Sequence, residues 1–184
     1  MEQEELTQRI AAADALYGRG QMEQALAAYQ AILSEENSVA WAHSRVGGIL
    51  AQRGELEAAA EALHKALELD ADLPQAHSNL GNIYYTRGEF EQAIACYKEA
   101  TRLDPHNPLY YENLHAAYKR MKKYGEAVAS LKQAHRVGRE AARNETSSAV
   151  RRISTSAKRR LGCLPTAIVL LVLATGLLLT LAWA

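Results

Sequence analysis

Six histidines and two cysteines are the side chains with which a metal site or acid–base chemistry would begin in this sequence. A zinc site needs them at helix or turn spacing, as in HExxH or paired CxxC, because the donors must converge on one ion. Here His43 and His77 stand one repeat apart, His64, His106, His115 and His135 are scattered, and Cys96 and Cys163 are far from each other. No ligand cluster results. Phosphate-cradling glycine loops and the GxSxG nucleophile turn are also missing, so no catalysis, no cofactor and no metal are expected. Two distant cysteines imply no disulfide framework and fit a reducing compartment. The chemistry left is non-covalent binding, and no nucleic-acid partner is expected.

The elements that must position a binding site are suggested by composition and charge. The 184 residues are 48% hydrophobic, which suffices for one compact domain and an appendage. A formal net charge of zero conceals sorting: residues 1–141 carry 15 Lys/Arg against 20 Asp/Glu, residues 142–160 carry 6 against 1, and residues 161–184 carry none. Three zones are expected. The start, MEQEELTQRI, lacks the basic and apolar regions of a secretory signal.

The first zone is periodic. A 34-residue frame from Leu6 divides it without gaps into 6–39, 40–73, 74–107 and 108–141, after a short extension at 1–5. One column reads Gly20, Gly54, Gly88, Lys122 and another Ala25, Ala59, Ala93, Ala127. Others read Leu16, Leu50, Tyr84, Tyr118, then Tyr29, Leu63, Tyr97, Leu131, then Ile32, Ala66, Ala100, Ala134. Within the third unit Ala76, Leu80, Ile83 and Tyr84 share one helical face, and Phe90, Ala93, Ile94, Tyr97 and Ala100 share another. Gly88 supplies a left-handed stop between them, and Asp104-Pro105 closes the second helix. Each unit therefore reads as an antiparallel helix pair whose apolar stripes are buried by stacking on neighbours.

These residues resemble tetratricopeptide repeats over 6–141. The likeness is fullest in the third unit, through Asn79-Leu80-Gly81, Tyr84, Gly88, Ala93, Tyr97, Ala100 and Pro105, and in the second through Gly47, Leu50, Gly54, Ala59 and Ala66. The outer units depart from the pattern at Ala13, His115 and Lys122. The resemblance implies an all-α, right-handed superhelical solenoid of helix pairs, in which the first helix of each pair lines a concave groove. The lining would then be Asp14 and Tyr17; Trp41, Arg45 and Gln52; Gln75, Asn79, Asn82 and Tyr85; and Glu112, Asn113, Lys119 and Arg120. Asn79, Asn82 and Asn113 could hydrogen-bond a peptide backbone, with Trp41 and Tyr85 as flat apolar anchors. The carboxylate clamp of some family members is not expected, since Asn79 fits but Ser44, Leu109 and Asn113 stand where cations belong.

Residues 164–184, LPTAIVLLVLATGLLLTLAWA, are uncharged and as a helix would span roughly 31 Å, close to a hydrocarbon core of about 30 Å. Residues 161–184 are thus expected to be a single transmembrane anchor at the end of the chain, with Pro165 in its first turn and Trp183 at the far interface. Arg151, Arg152, Lys158, Arg159 and Arg160 precede it, which places the repeats on the cytoplasmic side, a bacterial cell membrane being favoured over an organelle.

Between the two zones, residues 142–160 lack Gly and Pro and carry Ala142, Ala149, Val150, Ile153 and Ala157 at helical spacing. They are expected to form a basic helix that caps the last repeat, or rests on anionic lipid, or both. Ser154 follows a basic pair and Cys163 adjoins the span, so phosphorylation and acylation are open at those positions. The function expected is that of a membrane-tethered adaptor binding a protein or peptide in its groove. The alternative is a structural subunit assembled through lateral repeat packing and the span, where Gly176 and Thr180 form a small-xxx-small pair.

Overall fold

The computed structural model describes residues 3–162, with side chains over residues 4–148. They form α1 (Gln3–Gly18), α2 (Met22–Glu35), α3 (Ala40–Gln52), α4 (Leu56–Leu69), α5 (Pro74–Arg87), α6 (Phe90–Leu103), α7 (Pro108–Arg120) and α8 (Tyr124–Gly162), with no strand among the described residues. The starts of α3, α5 and α7 repeat at the 34-residue interval read from the sequence, as do those of α2, α4, α6 and α8.

The interval is kept because each reversal is made in the same way. A helix end leaves carbonyls without partners, and a left-handed residue lets the following amides turn back to meet them. Gln21 N donates to Leu16 O (3.0 Å), Glu55 N to Leu50 O (3.0 Å), Glu89 N to Tyr84 O (2.9 Å) and Lys123 N to Tyr118 O (2.9 Å). The left-handed residue between them is Gly20 (φ 75°), Gly54 (φ 82°), Gly88 (φ 81°) and, in the fourth unit, Lys122 (φ 59°). The second kind of junction is equally regular. Glu36, Asp70 and Asp104 each donate a backbone N–H to Ile32, Ala66 and Ala100, and Pro74 and Pro108 open the next helices, where their missing N–H costs nothing.

Packing follows the columns. Tyr29, Leu63 and Tyr97 are buried, as are Ala25, Ala59, Ala93 and Ala127 beside them. In the middle units a glycine faces the bulky member. A methyl added at Gly81 would lie 2.6 Å from Cε1 of Tyr97, and one at Gly47 would lie 2.6 Å from Cγ of Leu63 and 3.0 Å from the Ala59 carbonyl. The two helices of a pair are that close only because no side chain intervenes. Three apolar clusters result: one across α1, α2 and α3, one across α4 and α5, and one across α6, α7 and the start of α8. Each pair thus buries its stripe against its sequence neighbours, as repeat stacking requires.

The chain divides into one unit up to Gly138 and a second from Arg139. In the second, α8 continues without a break to Gly162, and residues 139–148 are exposed. The side chains of Arg151, Arg152, Ser154, Lys158, Arg159 and Arg160, the residue Cys163 and nearly all of the expected anchor at 161–184 lie outside the described residues. Among the described residues no helix is long and apolar enough to cross a membrane.

Two stability changes are expected. Lys122→Gly removes a side chain from left-handed backbone and should raise unfolding stability by about 1 kcal/mol, read from denaturant titration; no gain would mean the turn is unstrained. Gly81→Val forces a branched side chain onto the buried Tyr97 ring and should lower stability by about 2–3 kcal/mol by the same measurement.

Candidate peptide-binding face

First helices lie side by side, α3 against α5 and α5 against α7, so side chains from consecutive units meet along one face. At the α1–α3 end, the Tyr29 hydroxyl donates to Asp14 Oδ1 (2.9 Å), and Arg45 Nε lies 3.7 Å from the same oxygen. The Arg45 guanidinium carbon sits 4.6 Å from the ring centres of both Tyr17 and Trp41, while Trp41 meets Tyr29 edge-on at 5.7 Å. Burial, and then the hydrogen bond to Asp14, push the Tyr29 hydroxyl well above the ordinary phenol range. Four of the residues expected in a groove are therefore brought together, and they bind one another. Gln52, at the end of α3, is exposed.

In the middle of the face the amides form a short network. Gln75 Nε2 donates to Asn79 Oδ1 (3.2 Å), and the Tyr110 hydroxyl to Gln75 Oε1 (3.5 Å). Asn82 Oδ1 accepts from the Tyr97 hydroxyl (2.8 Å) and from Asn113 Nδ2 (3.4 Å), which also reaches Ser78 Oγ (3.3 Å). Burial raises the Tyr97 hydroxyl, which stays protonated and keeps donating. Asn82, Tyr85, Thr86, Tyr97, Asn113 and Ala116 surround a cavity of ≈ 310 Å³. Glu112 is exposed nearby on α7.

Beyond it, Tyr85, His115, Ala116, Lys119, Arg120, Lys122 and Tyr124 line a second cavity of ≈ 550 Å³. The Tyr85 ring meets Phe90 edge-on (5.4 Å), and the Arg120 guanidinium lies 5.2 Å over Phe90. Sequence reasoning named Tyr85, Lys119 and Arg120 but missed His115, Lys122 and Tyr124. The first two break small-residue columns, and those breaks were the available signal.

Three of the six histidines have structural employment. His43 Nε2 donates to Asn37 O (3.0 Å), and His77 Nε2 to Ala71 O (2.9 Å), each clamping the preceding turn. Tyr111 fills the same column, with its hydroxyl donating to Pro105 O at 3.3 Å. His115 Nδ1 donates to Ala127 O at 2.9 Å. No group of three or more metal-ligating side chains occurs among the described residues. Burial pushes the Cys96 thiol up to about 11, away from the reactive thiolate.

Comparison with known proteins agrees with this architecture. A family model described as a TPR repeat matches residues 47–87 and 81–122. A crystal structure of MamA superposes with a TM-score of 0.65 at 22% identity, over 75% of this chain and 81% of that one. The structure titled MamA 41-end from Desulfovibrio magneticus RS-1 does so with a TM-score of 0.63 at 19% identity, over 73% and 76%. At these identities the likeness is one of fold. The Pseudomonas aeruginosa pilF structure gives a TM-score of 0.67 at 27% identity, over 74% of this chain and 62% of its own. No curated protein matches the sequence. With 34-residue helix pairs, small-residue columns and a matching family model, residues 47–122 of this chain are tetratricopeptide repeats.

Proposed function

We propose that the chain is a membrane-tethered adaptor whose repeats hold a protein or peptide through the first-helix face, with residues 161–184 in a bilayer and the repeats on its cytoplasmic side, a bacterial cell membrane being favoured. The observation that carries the binding reading is the amide-lined cavity between α5 and α7. Asn82 and Asn113 offer both donors and acceptors there, and Tyr85 offers a flat apolar surface. A peptide backbone, which needs both kinds of group, suits that lining. Tetratricopeptide repeats are in general protein-binding scaffolds, which favours binding over catalysis.

The tether rests on the uncharged run at 164–184 and on the basic flank from Arg151 to Arg160. A bilayer anchor would raise the local concentration of whatever the repeats capture.

Proximity labelling in native membranes identifies the partner. Asn113→Ala with Tyr85→Ala should then weaken its capture about tenfold while circular dichroism keeps its helical signal, and undiminished capture would remove this site. Leu170→Lys with Leu177→Lys adds about 3 kcal/mol per residue to insertion and should move the chain from the carbonate-resistant membrane fraction to the supernatant. An unrelated apolar helix in place of 164–184 should leave partner capture intact; loss of capture would favour assembly through the span itself.

A further inference from the structure

Most cations of the first three units are occupied. Arg9, Arg45, Arg53, Lys65, Arg87 and Arg102 each lie within 2.6–3.7 Å of a carboxylate oxygen. Two of these pairs, Arg53 with Glu23 and Arg87 with Glu57, recur one repeat apart and tie neighbouring units. Lys119, Arg120, Lys122 and Lys123 have no ion pair among the described residues, and the first three line one cavity of ≈ 550 Å³ to which no carboxylate contributes.

These charges are peculiar to the fourth unit. At the place of Lys119 the earlier units have Tyr17, Ala51 and Tyr85; at Arg120, Gly18, Gln52 and Thr86; at Lys122, three glycines; and at Lys123, Gln21, Glu55 and Glu89. Four of five consecutive columns turn basic at once, while the column between them, Arg19, Arg53 and Arg87 in the earlier units, becomes Met121. One of these cations is held by a ring and another stands on unusual backbone. Arg120 rests on Phe90 at 5.2 Å, and Lys122 is carried on left-handed backbone where the other units have glycine. A solvated charged face would need neither. The cavity shares Tyr85 and Ala116 with the amide-lined one, so cationic and hydrogen-bonding surfaces are continuous.

We propose that this mouth receives an acidic segment of a partner protein, with its carboxylates at Lys119, Arg120 and Lys122 and the neighbouring stretch of its chain along Tyr85, Asn82 and Asn113. The inference rests on the peptide-binding reading above and gives that peptide its chemistry. A lipid headgroup or a free phosphate would use the cations and leave the amides idle. An acidic peptide uses both.

The test uses the full-length chain in non-ionic detergent and a library of short synthetic peptides of random composition. The bound peptides should be enriched in Asp and Glu. For one enriched peptide, anisotropy should show binding weakened about tenfold when its Asp and Glu become Asn and Gln, with a similar loss on Lys119→Glu plus Arg120→Glu. Rising salt should weaken it too. Lys122→Gly is the discriminating variant, since it should weaken binding while the fold becomes more stable, which misfolding cannot imitate. Peptides bound without acidic preference would overturn the acidic assignment and leave the peptide-binding reading standing. If no peptide binds, both fall. Displacement of bound peptide by soluble short-chain phosphatidylglycerol, with no response to the peptide's own Asp and Glu, would assign the mouth to lipid and overturn the proposal.

Discussion

Reversing a chain between two antiparallel helices strands the carbonyls at the end of the first, and in this protein the four reversals within helix pairs recover them with the same backbone bond. That bond runs from Gln21, Glu55, Glu89 or Lys123 back to a residue of the Leu16, Leu50, Tyr84, Tyr118 column. It needs a residue in the left-handed region just before it, and that requirement sets the spacing of everything else. Helix pairs of constant length place Gly47 and Gly81 opposite Leu63 and Tyr97, which lets each pair close tightly. Tight pairs keep first helices adjacent, and adjacent first helices bring Asn82 within reach of Asn113. The face that carries the candidate site is therefore a product of turn geometry repeated in register.

Much of this was legible in the sequence because the determining features are local and recur. Glycine columns, proline positions and the alternation of Ala with Tyr or Leu are written at fixed offsets, and the helix boundaries follow them closely. The candidate site was only partly legible. The residue types at Asp14, Tyr17, Trp41 and Arg45 point to binding, yet their partners are one another and Tyr29, through contacts that cross from one helix to the next. No spacing rule announces such pairing. His43 and His77 are similar cases, because the acceptor is a backbone carbonyl six residues earlier, a group every residue possesses.

His115 and Lys122 carry the opposite lesson. Against the repeat pattern they read as lapses at the end of an array, where deviation is ordinary. In the structure both line one cavity, and Lys122 holds a backbone conformation that costs a non-glycine residue free energy. Strain retained at a cavity is a reason to look there for function. Two irregularities that weaken a sequence match thus mark a surface that regular units would not have made.

The hydrogen bonds between side chains reach no further than 35 residues along the chain among the described residues, from Asn113 to Ser78 and from Tyr110 to Gln75. So short a reach means that a unit has its partners as soon as the next one has been synthesised. Low contact order of this kind favours rapid folding, and domains fold as they leave the ribosome. The apolar run at 164–184 is translated after the repeats, whose own apolar stripes need only their neighbours in sequence to be buried.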